Sequence, residues 1–335
     1  MSPQPRTLII INDCAARARI AWPIIRARLD NCGIAYEHQQ TERPGDATTR
    51  TRAALEKGFT LIGVVGGDGT LSEAAAGYFF PRSESAGAGE RERTVDALPL
   101  PINTEAALAV LPAGTGDDFA RNLAGERAPL ERWLETFVAH CRGSKDNTTR
   151  LIDLIRVRTD NYQRQVICIN ASTLGLGGET GARVAAQGKQ MRRLSGEARF
   201  VVAAMGALAA WRERRVKVEI DQGTIIDGPM NLVAVANARF AGGGMMLSPQ
   251  AEIDDGKLDV VTATGLNRVA ILRELTRIHK GGHVANPKVK IVQGRNAGIQ
   301  TFAPEDALRI EVDGNVSGHT PADYRIMPGA LRIVA

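Results

Sequence analysis

The stretch TLIGVVGGDGTLSEAAA, Thr60 to Ala76, decides how the chain reads. Leu61, Ile62, Val64 and Val65 form an apolar, partly β-branched run of the kind that fills a buried parallel strand. The run stops at Gly66-Gly67-Asp68-Gly69-Thr70, and an alanine-rich segment with good helix propensity follows. A strand that enters a helix through a glycine turn leaves backbone N–H groups without helical partners. Those groups and the helix dipole attract phosphate. The glycines are expected to supply positive φ and to let a ligand come close. Asp68 would repel a bare phosphate, so its expected work is to hold a hard cation such as Mg2+. The plainer alternative is an ordinary strand–turn–helix corner, and this segment alone does not separate the two.

The flanking residues repeat the theme. Thr7–Asn12 (TLIIIN) reads as a first buried strand, followed by a helix with apolar positions Ile20, Ile24, Ile25 and Leu29. A short strand near Ile34–His38, a polar turn from Thr41 to Asp46 and a helix to about Lys57 lead into the central strand. This β-α-β-α-β order predicts a parallel sheet with right-handed crossovers. Ligands of such sheets sit at the carboxyl ends of the strands, where Asn12, Thr41 and Asp68 fall. After a helix at Leu71–Phe80, Pro81 to Pro101 is rich in Arg, Glu, Ser and Gly and reads as an exposed insertion. Ala107–Leu111 is another buried strand, and it ends in Pro112–Arg121 (PAGTGDDFAR), a second Gly/Thr/Asp loop that opens a helix.

From Leu151 the pattern changes to strands: Leu151–Thr159, Gln165–Ala171, Val216–Ile220, Leu232–Asn237, Leu258–Ala263, Lys288–Val292, Leu308–Asp313 and Leu331–Val334. Helical stretches at Glu197–Glu213 and Asn267–His279 interrupt them. A boundary near Asn147–Arg150 divides an α/β domain, residues 1–148, from a mostly antiparallel β-rich domain, residues 149–335. The C-terminal segment is a candidate to pack back on the first domain.

Bulk composition narrows the function classes. A length of 335 residues suits two domains, and 44% apolar residues is ordinary for a globular chain. Cys14, Cys32, Cys141 and Cys168 are scattered, which points to neither a zinc site nor a disulfide framework. No secretory pattern opens the chain, and the longest apolar run, Phe200 to Trp211, is too short to span a bilayer. A soluble, cytoplasmic protein is expected. The net charge is +5, with basic density at Lys189–Arg193 (KQMRR) and Arg212–Lys217 (RERRVK). These are either solvated helix ends or a face for anionic lipid, where each basic residue is worth ~1 kcal/mol. Only 4% of residues are aromatic and no recognition motif appears, so nucleic acid is not the expected partner.

Four segments, in order along the chain, together resemble the diacylglycerol kinase catalytic-domain family, which includes soluble bacterial lipid kinases and the sphingosine and ceramide kinases. They are GGDGT at Gly66–Thr70, LPAGTGDDFAR at Leu111–Arg121, NARFAGGGMMLSPQAEIDDGKLDVV at Asn237–Val261, and Val312-Asp313-Gly314 followed by PGALRI at Pro328–Ile333. The resemblance implies a Rossmann-like α/β domain of the kind shared by NAD kinase and diacylglycerol kinase. It also implies a C-terminal β-sandwich domain, with the active site in the cleft between the two. ATP would contact Asn12, Thr41, Gly66, Gly67, Asp68, Gly69, Thr70, Leu71, Ser72 and Thr115. A Mg2+ site would match Asp255 with the backbone carbonyls of Glu252 and Lys257, and crowding of Asp254, Asp255 and Asp259 around one Gly turn fits a cation there. Asp313 matches the aspartate of the family's Asp-Gly-Glu motif, assigned as general base. Asp68 would hold the nucleotide's Mg2+.

The implied activity is ATP- and Mg2+-dependent phosphorylation of a lipid such as diacylglycerol, giving phosphatidic acid. The implied setting is an anionic membrane surface at the inner face of the membrane, and a homodimer is left open. Three departures keep alternatives alive. Asn12 is followed by Asp13-Cys14-Ala15-Ala16 rather than by Pro and Gly, Asp117 replaces a common Asn, and Asn315 stands where the motif has Glu. An amide cannot accept a proton as a carboxylate does. A catalytically impaired nucleotide- or lipid-binding homologue is therefore one alternative, and a kinase of a soluble acceptor, as in NAD kinase, is another.

Overall fold

The computed structural model describes residues 4–81, 97–143, 149–188, 191 and 196–335. Most of the expected insertion at Pro81–Pro101 lies outside the described residues, as does all of the basic run Lys189–Arg193 except Met191. Residues 147–148 of the expected boundary lie outside them too. The chain forms two compact units. One comprises Met1–Gly114, Ala128–Ile152 and Gly329–Ala335, and the other Thr115–Arg127 and Asp153–Pro328.

The first unit is built from β1 (Thr7–Ile11), α1 (Ala16–Asn31), β2 (Glu37–Gln40), α2 (Asp46–Glu56), β3 (Leu61–Gly66), α3 (Asp68–Ala76) and β4 (Ala107–Pro112). Strand β1 pairs with β2 and β3, and β3 with β4, all parallel. Arg332–Val334 at the end of the chain adds a further parallel partner to β4. The α/β sheet expected from the strand–helix alternation is present. Strands β1 and β3 are buried along every residue, as in a sheet with both faces covered. Ile9, Ile11, Leu61, Val65 and Leu111 pack with Ile25, Leu29 and Phe137. The pairings Ile11↔Val65 and Gly66↔Pro112 bring the carboxyl ends of β1, β3 and β4 level. That register lines up the three loops that follow them.

Two local expectations are corrected. In α1, Ile20 and Ile24 are 70% and 54% exposed, and the buried stripe is Ala18, Ala21, Ile25 and Leu29. The spacing of that stripe follows the helical repeat, and its small alanines let the helix lie close to the sheet. The second strand is Glu37–Gln40 rather than Ile34–His38. It pairs with β1 alone in the sheet and carries polar residues, as an edge strand does.

The second unit is antiparallel. Strand Thr224–Ala236 pairs with Ala171–Gly175, Arg214–Ile220 and Leu258–Thr264. Its core includes Ile155, Val218, Val235, Val260, Ile310 and Tyr324. The single strand expected at Gln165–Ala171 is two, Arg164–Cys168 and Ala171–Gly175. They part at Ile169 and Asn170 because the N–H groups of both residues donate to the Asp313 carboxylate, not to a strand. Among the described residues no helix is long and apolar enough to cross a membrane.

Candidate functional site

The glycine turn after β3 works by closeness. Gly67 is the N-cap of α3, with φ −97°, and none of Gly66, Gly67 and Gly69 has positive φ. The expectation of left-handed glycines here is therefore corrected. A Cβ on Gly67 would lie 3.1 Å from Gly114 Cα, and one on Gly66 3.0 Å from the Thr70 side chain. Glycine is required because two backbones meet: the turn after β3 and the loop after β4. Ala113 N donates to Gly66 O at 2.9 Å and ties the two.

The other expected nucleotide residues of this unit gather at the same rim. Asn12 N donates to Val65 O at 2.9 Å, and its Nδ2 donates to Thr70 Oγ1 at 2.8 Å. Thr41 N donates to Ile11 O at 2.8 Å. Asp68 and Gly69 form the partly exposed first turn of α3, whereas Leu71 and Ser72 are buried in it. A helix start offers N–H donors and a positive dipole end, which suits phosphate. Thr115 follows Gly114, is exposed, and opens the second unit. Sequence reasoning missed Arg17. Its Nη1 donates to Gly114 O at 2.7 Å and hangs a guanidinium on the loop whose Pro and Gly are missing. Its position five residues after Asn12 was the available signal.

Within the second unit, Asp117 takes the left-handed conformation, φ 52°, and pairs with Arg127 at 3.8 Å. Asn and Asp are the residues that tolerate this conformation, so Asp in place of Asn keeps the local geometry. Asp118 is buried, and its two oxygens accept from Gly243 N and Gly244 N, both at 2.6 Å. Gly242, Gly243 and Gly244 have φ of 69°, 88° and 92°. The second and third motifs are thus joined by one carboxylate.

The expected cation turn holds Glu252, Asp255 and Lys257. Asp255 Oδ1 accepts from Lys257 N at 2.9 Å, and Oδ2 lies 3.7 Å from Lys257 Nζ. Asp153, buried beneath, accepts from Gly256 N at 2.6 Å. Asp259 does not crowd the turn as expected: it is buried, and its Oδ2 accepts from Ser248 Oγ at 2.7 Å. Among the described residues no group of three or more His, Cys, Asp and Glu could hold a metal. The set implied here is of another kind, one carboxylate with two main-chain carbonyls. Oxygens of this kind suit a hard cation, and the carboxylate faces the exposed Lys257 ammonium.

Asp313 and Gly314 are the two central residues of a hairpin between strands Arg309–Val312 and Asn315–His319, with φ of 46° and 87°. Asp-Gly is a preferred pair for such a left-handed turn. The Asp313 side chain is buried and accepts from Ile169 N at 2.8 Å, Asn170 N at 2.9 Å, Ala171 N at 3.2 Å and Cys168 Sγ at 3.5 Å. Burial first, then the Asp313 charge, pushes the Cys168 thiol well above its ordinary value. Two residues earlier, Glu311 Oε2 accepts from Thr173 Oγ1 at 2.6 Å and Oε1 accepts from Gly314 N. Burial raises its carboxyl to about 7, the Asp313 charge adding to the rise. Glu311 was not singled out in the sequence, because a lone Glu on a strand carries no spacing signal. Asn315 opens the returning strand and is exposed.

The first unit is thus a parallel α/β sheet whose strand ends carry two abutting glycine loops, and the second is antiparallel. Residues 6–157 match the family "Diacylglycerol kinase catalytic domain", and residues 176–335 match "YegS C-terminal NAD kinase beta sandwich-like domain". The chain is 30% identical over 300 residues to a "Probable lipid kinase YegS-like" of Pseudomonas aeruginosa, covering 88% of this chain and 82% of that one. It is 26% identical over 308 residues to a "Diacylglycerol kinase" of Mycobacterium tuberculosis, covering 92% and 87%. A solved structure of a diacylglycerol kinase from Bacillus anthracis str. Sterne superposes with a TM-score of 0.67 at 19% identity, covering 100% of this chain and 98% of that one. The chain belongs to the diacylglycerol kinase catalytic-domain family of lipid kinases.

Proposed function

We propose that this chain transfers the γ-phosphate of ATP to the hydroxyl of a membrane lipid, with diacylglycerol as acceptor and phosphatidic acid as product. The observation that carries the reading is the abutment of the Gly66–Thr70 turn and the Gly114 loop at level strand ends, in a chain of this family. Asn12, Thr41, Gly66–Ser72 and Thr115 bind the nucleotide, and Arg17 adds positive charge beside its phosphates. Asp68 would hold Mg2+, which would supply charge neutralisation at the phosphates, and Asp255 with the carbonyls of Glu252 and Lys257 would hold a second, structural cation. The lipid oxygen attacks the γ-phosphorus in line, so the backbone's contribution is positioning and electrostatics. A carboxylate of the Glu311–Asp313 hairpin takes the hydroxyl proton, help worth roughly 10²–10⁴ in rate.

The acceptor is reached at the anionic inner face of the membrane. Arg212–Lys217 follows a helix, Gly196–Ala210, on which Val201, Val202 and Met205 are 58%, 51% and 49% exposed. Apolar side chains next to basic ones suit an anionic lipid surface. The test is transfer of label from γ-labelled ATP into a panel of lipids with Mg2+ present. Labelled phosphatidic acid is expected, and folded protein that labels none of the lipids contradicts the reading. Asn315 favours a second reading, a homologue with impaired catalysis. A large gain in rate on Asn315→Glu supports that reading, and an unchanged rate removes it.

A further inference from the structure

We propose that Glu311 is the proton-accepting residue of this site and that Asp313 positions it, an inference that rests on the lipid kinase reading. The hairpin aspartate has a structural occupation. Three backbone N–H groups and a thiol converge on the Asp313 carboxylate, close to the four acceptor positions a carboxylate offers. Two other aspartates in left-handed turns of the same unit do the same kind of work. Asp221, φ 48°, accepts from Arg295 N at 3.0 Å and Asn296 N at 2.8 Å, and Asp160, φ 52°, accepts from His319 N at 2.8 Å. In each case a short carboxylate at a turn accepts from one or more N–H groups of a neighbouring strand end.

Glu311 differs from these three. It lies on the strand, two residues before Asp313, so its side chain leaves on the face set by that period. The residue as a whole is less enclosed than Asp313, which is 6% exposed, although its carboxyl lies deep enough for burial to raise it. Each of its oxygens accepts one hydrogen bond, from Thr173 Oγ1 and from Gly314 N, which leaves acceptor capacity on both. The bond to Gly314 N brings the carboxylate to the turn, one residue from Asn315, where the motif glutamate is missing. A carboxyl that titrates at about 7 is matched to proton abstraction near neutral pH. The ionisable groups around it are Asp313, the Cys168 thiol and the Tyr324 phenol, with Arg309 on its own strand paired to Glu179 of the helix Leu176–Ala185 at 3.7 Å.

The step balances without a further reactant. The acceptor O–H bond breaks and its proton goes to a Glu311 oxygen. The freed oxygen forms a bond to the γ-phosphorus, whose bond to the β-phosphate oxygen breaks, and ADP leaves with that electron pair. Glu311 then returns its proton to solvent.

The experiment is the pH profile of lipid phosphorylation at saturating ATP for wild type, Glu311→Gln, Asp313→Asn and Thr173→Val, with each fold checked by thermal melting. Wild-type turnover should rise through a group near pH 7. Glu311→Gln should lose that rise and roughly 10²–10⁴ in rate. Asp313→Asn should keep the rise while losing rate and thermal stability. Thr173→Val should move the rise to higher pH, because the lost O–H donor favours the ionised carboxylate. A Glu311→Gln profile that keeps the rise at near-wild-type rate overturns the proposal. Should that variant not fold, an unmoved profile in Thr173→Val overturns it instead. Wild-type protein that phosphorylates no lipid overturns the kinase reading and this inference together, whereas active wild type with an unaffected Glu311→Gln overturns the inference alone.

Discussion

The glycines of Gly66–Gly69 and those of Gly242–Gly244 meet opposite needs. The first set has ordinary backbone angles at the end of a parallel strand, and glycine is needed because Gly114 backbone passes 3.1 Å from where a Cβ would stand. The second set is left-handed throughout, with φ of 69° to 92°; a Cβ would meet open space at Gly243 and the flexible side-chain ends of Met245 and Arg121, not backbone, at Gly242 and Gly244. One loop is small for the sake of proximity, the other for handedness. A ligand cradle needs the first property, because phosphate must come within hydrogen-bond reach of main-chain N–H groups. The second loop turns chiefly on handedness, and Asp118 ties it by accepting from Gly243 N and Gly244 N.

Substitutions that separate chemistry from scaffold sharpen this contrast. The largest effect is expected for Asp68→Ala, which removes the carboxylate at the Gly66–Thr70 turn. Lipid phosphorylation should fall by about 10²–10³ while the melting temperature stays near that of wild type, as activity and calorimetry together will show. Near-wild-type turnover would break the assignment. Gly243→Ala should cost about 1–2 kcal/mol of stability for forcing an L-residue into a left-handed angle. Urea unfolding measures that cost, and nucleotide affinity should not change. A loss of nucleotide affinity in Gly243→Ala would mean that the two loops do not divide the work as described.

A smaller effect is expected from pH. The folded-state pKa of Glu311, about 7, lies above the ordinary 4.5. Its contribution to stability is therefore fully present below about pH 4.5 and is lost as pH rises through about 7. Discounted for partial exposure, the change is on the order of 1 kcal/mol. His140 and His283, whose pKa values burial lowers, slope the other way. The difference between wild type and Glu311→Gln in chemical unfolding across this range isolates the glutamate. Parallel stability profiles for the two would contradict a raised Glu311.

The parallel sheet was legible because its strands are buried on both faces and read as unbroken apolar runs, Thr7–Ile11 and Leu61–Gly66. The loops at their ends were legible as Gly/Thr/Asp clusters. What stayed hidden is what contacts between distant segments decide. Ile20 and Ile24 looked like core by hydrophobicity, yet Ala18 and Ala21 occupy the buried stripe, since a close-lying helix selects small side chains there. The break at Ile169–Asn170 could not be read, because the group that takes their N–H groups is Asp313, more than a hundred residues away. Arg17 and Glu311 were missed for the same reason. Each is an ordinary charged residue until its distant partner, Gly114 or Thr173, is known.

The central claim is that the turn at Gly66–Thr70, packed on Gly114, cradles a triphosphate. Its most direct test is calorimetric titration of wild type and Gly67→Ala with ATP and with adenosine. A Cβ at residue 67 should weaken ATP binding about tenfold, a loss of about 1.4 kcal/mol, and leave adenosine binding unchanged. Equal ATP affinity in the two folded proteins, or an equal loss for ATP and adenosine, would contradict it.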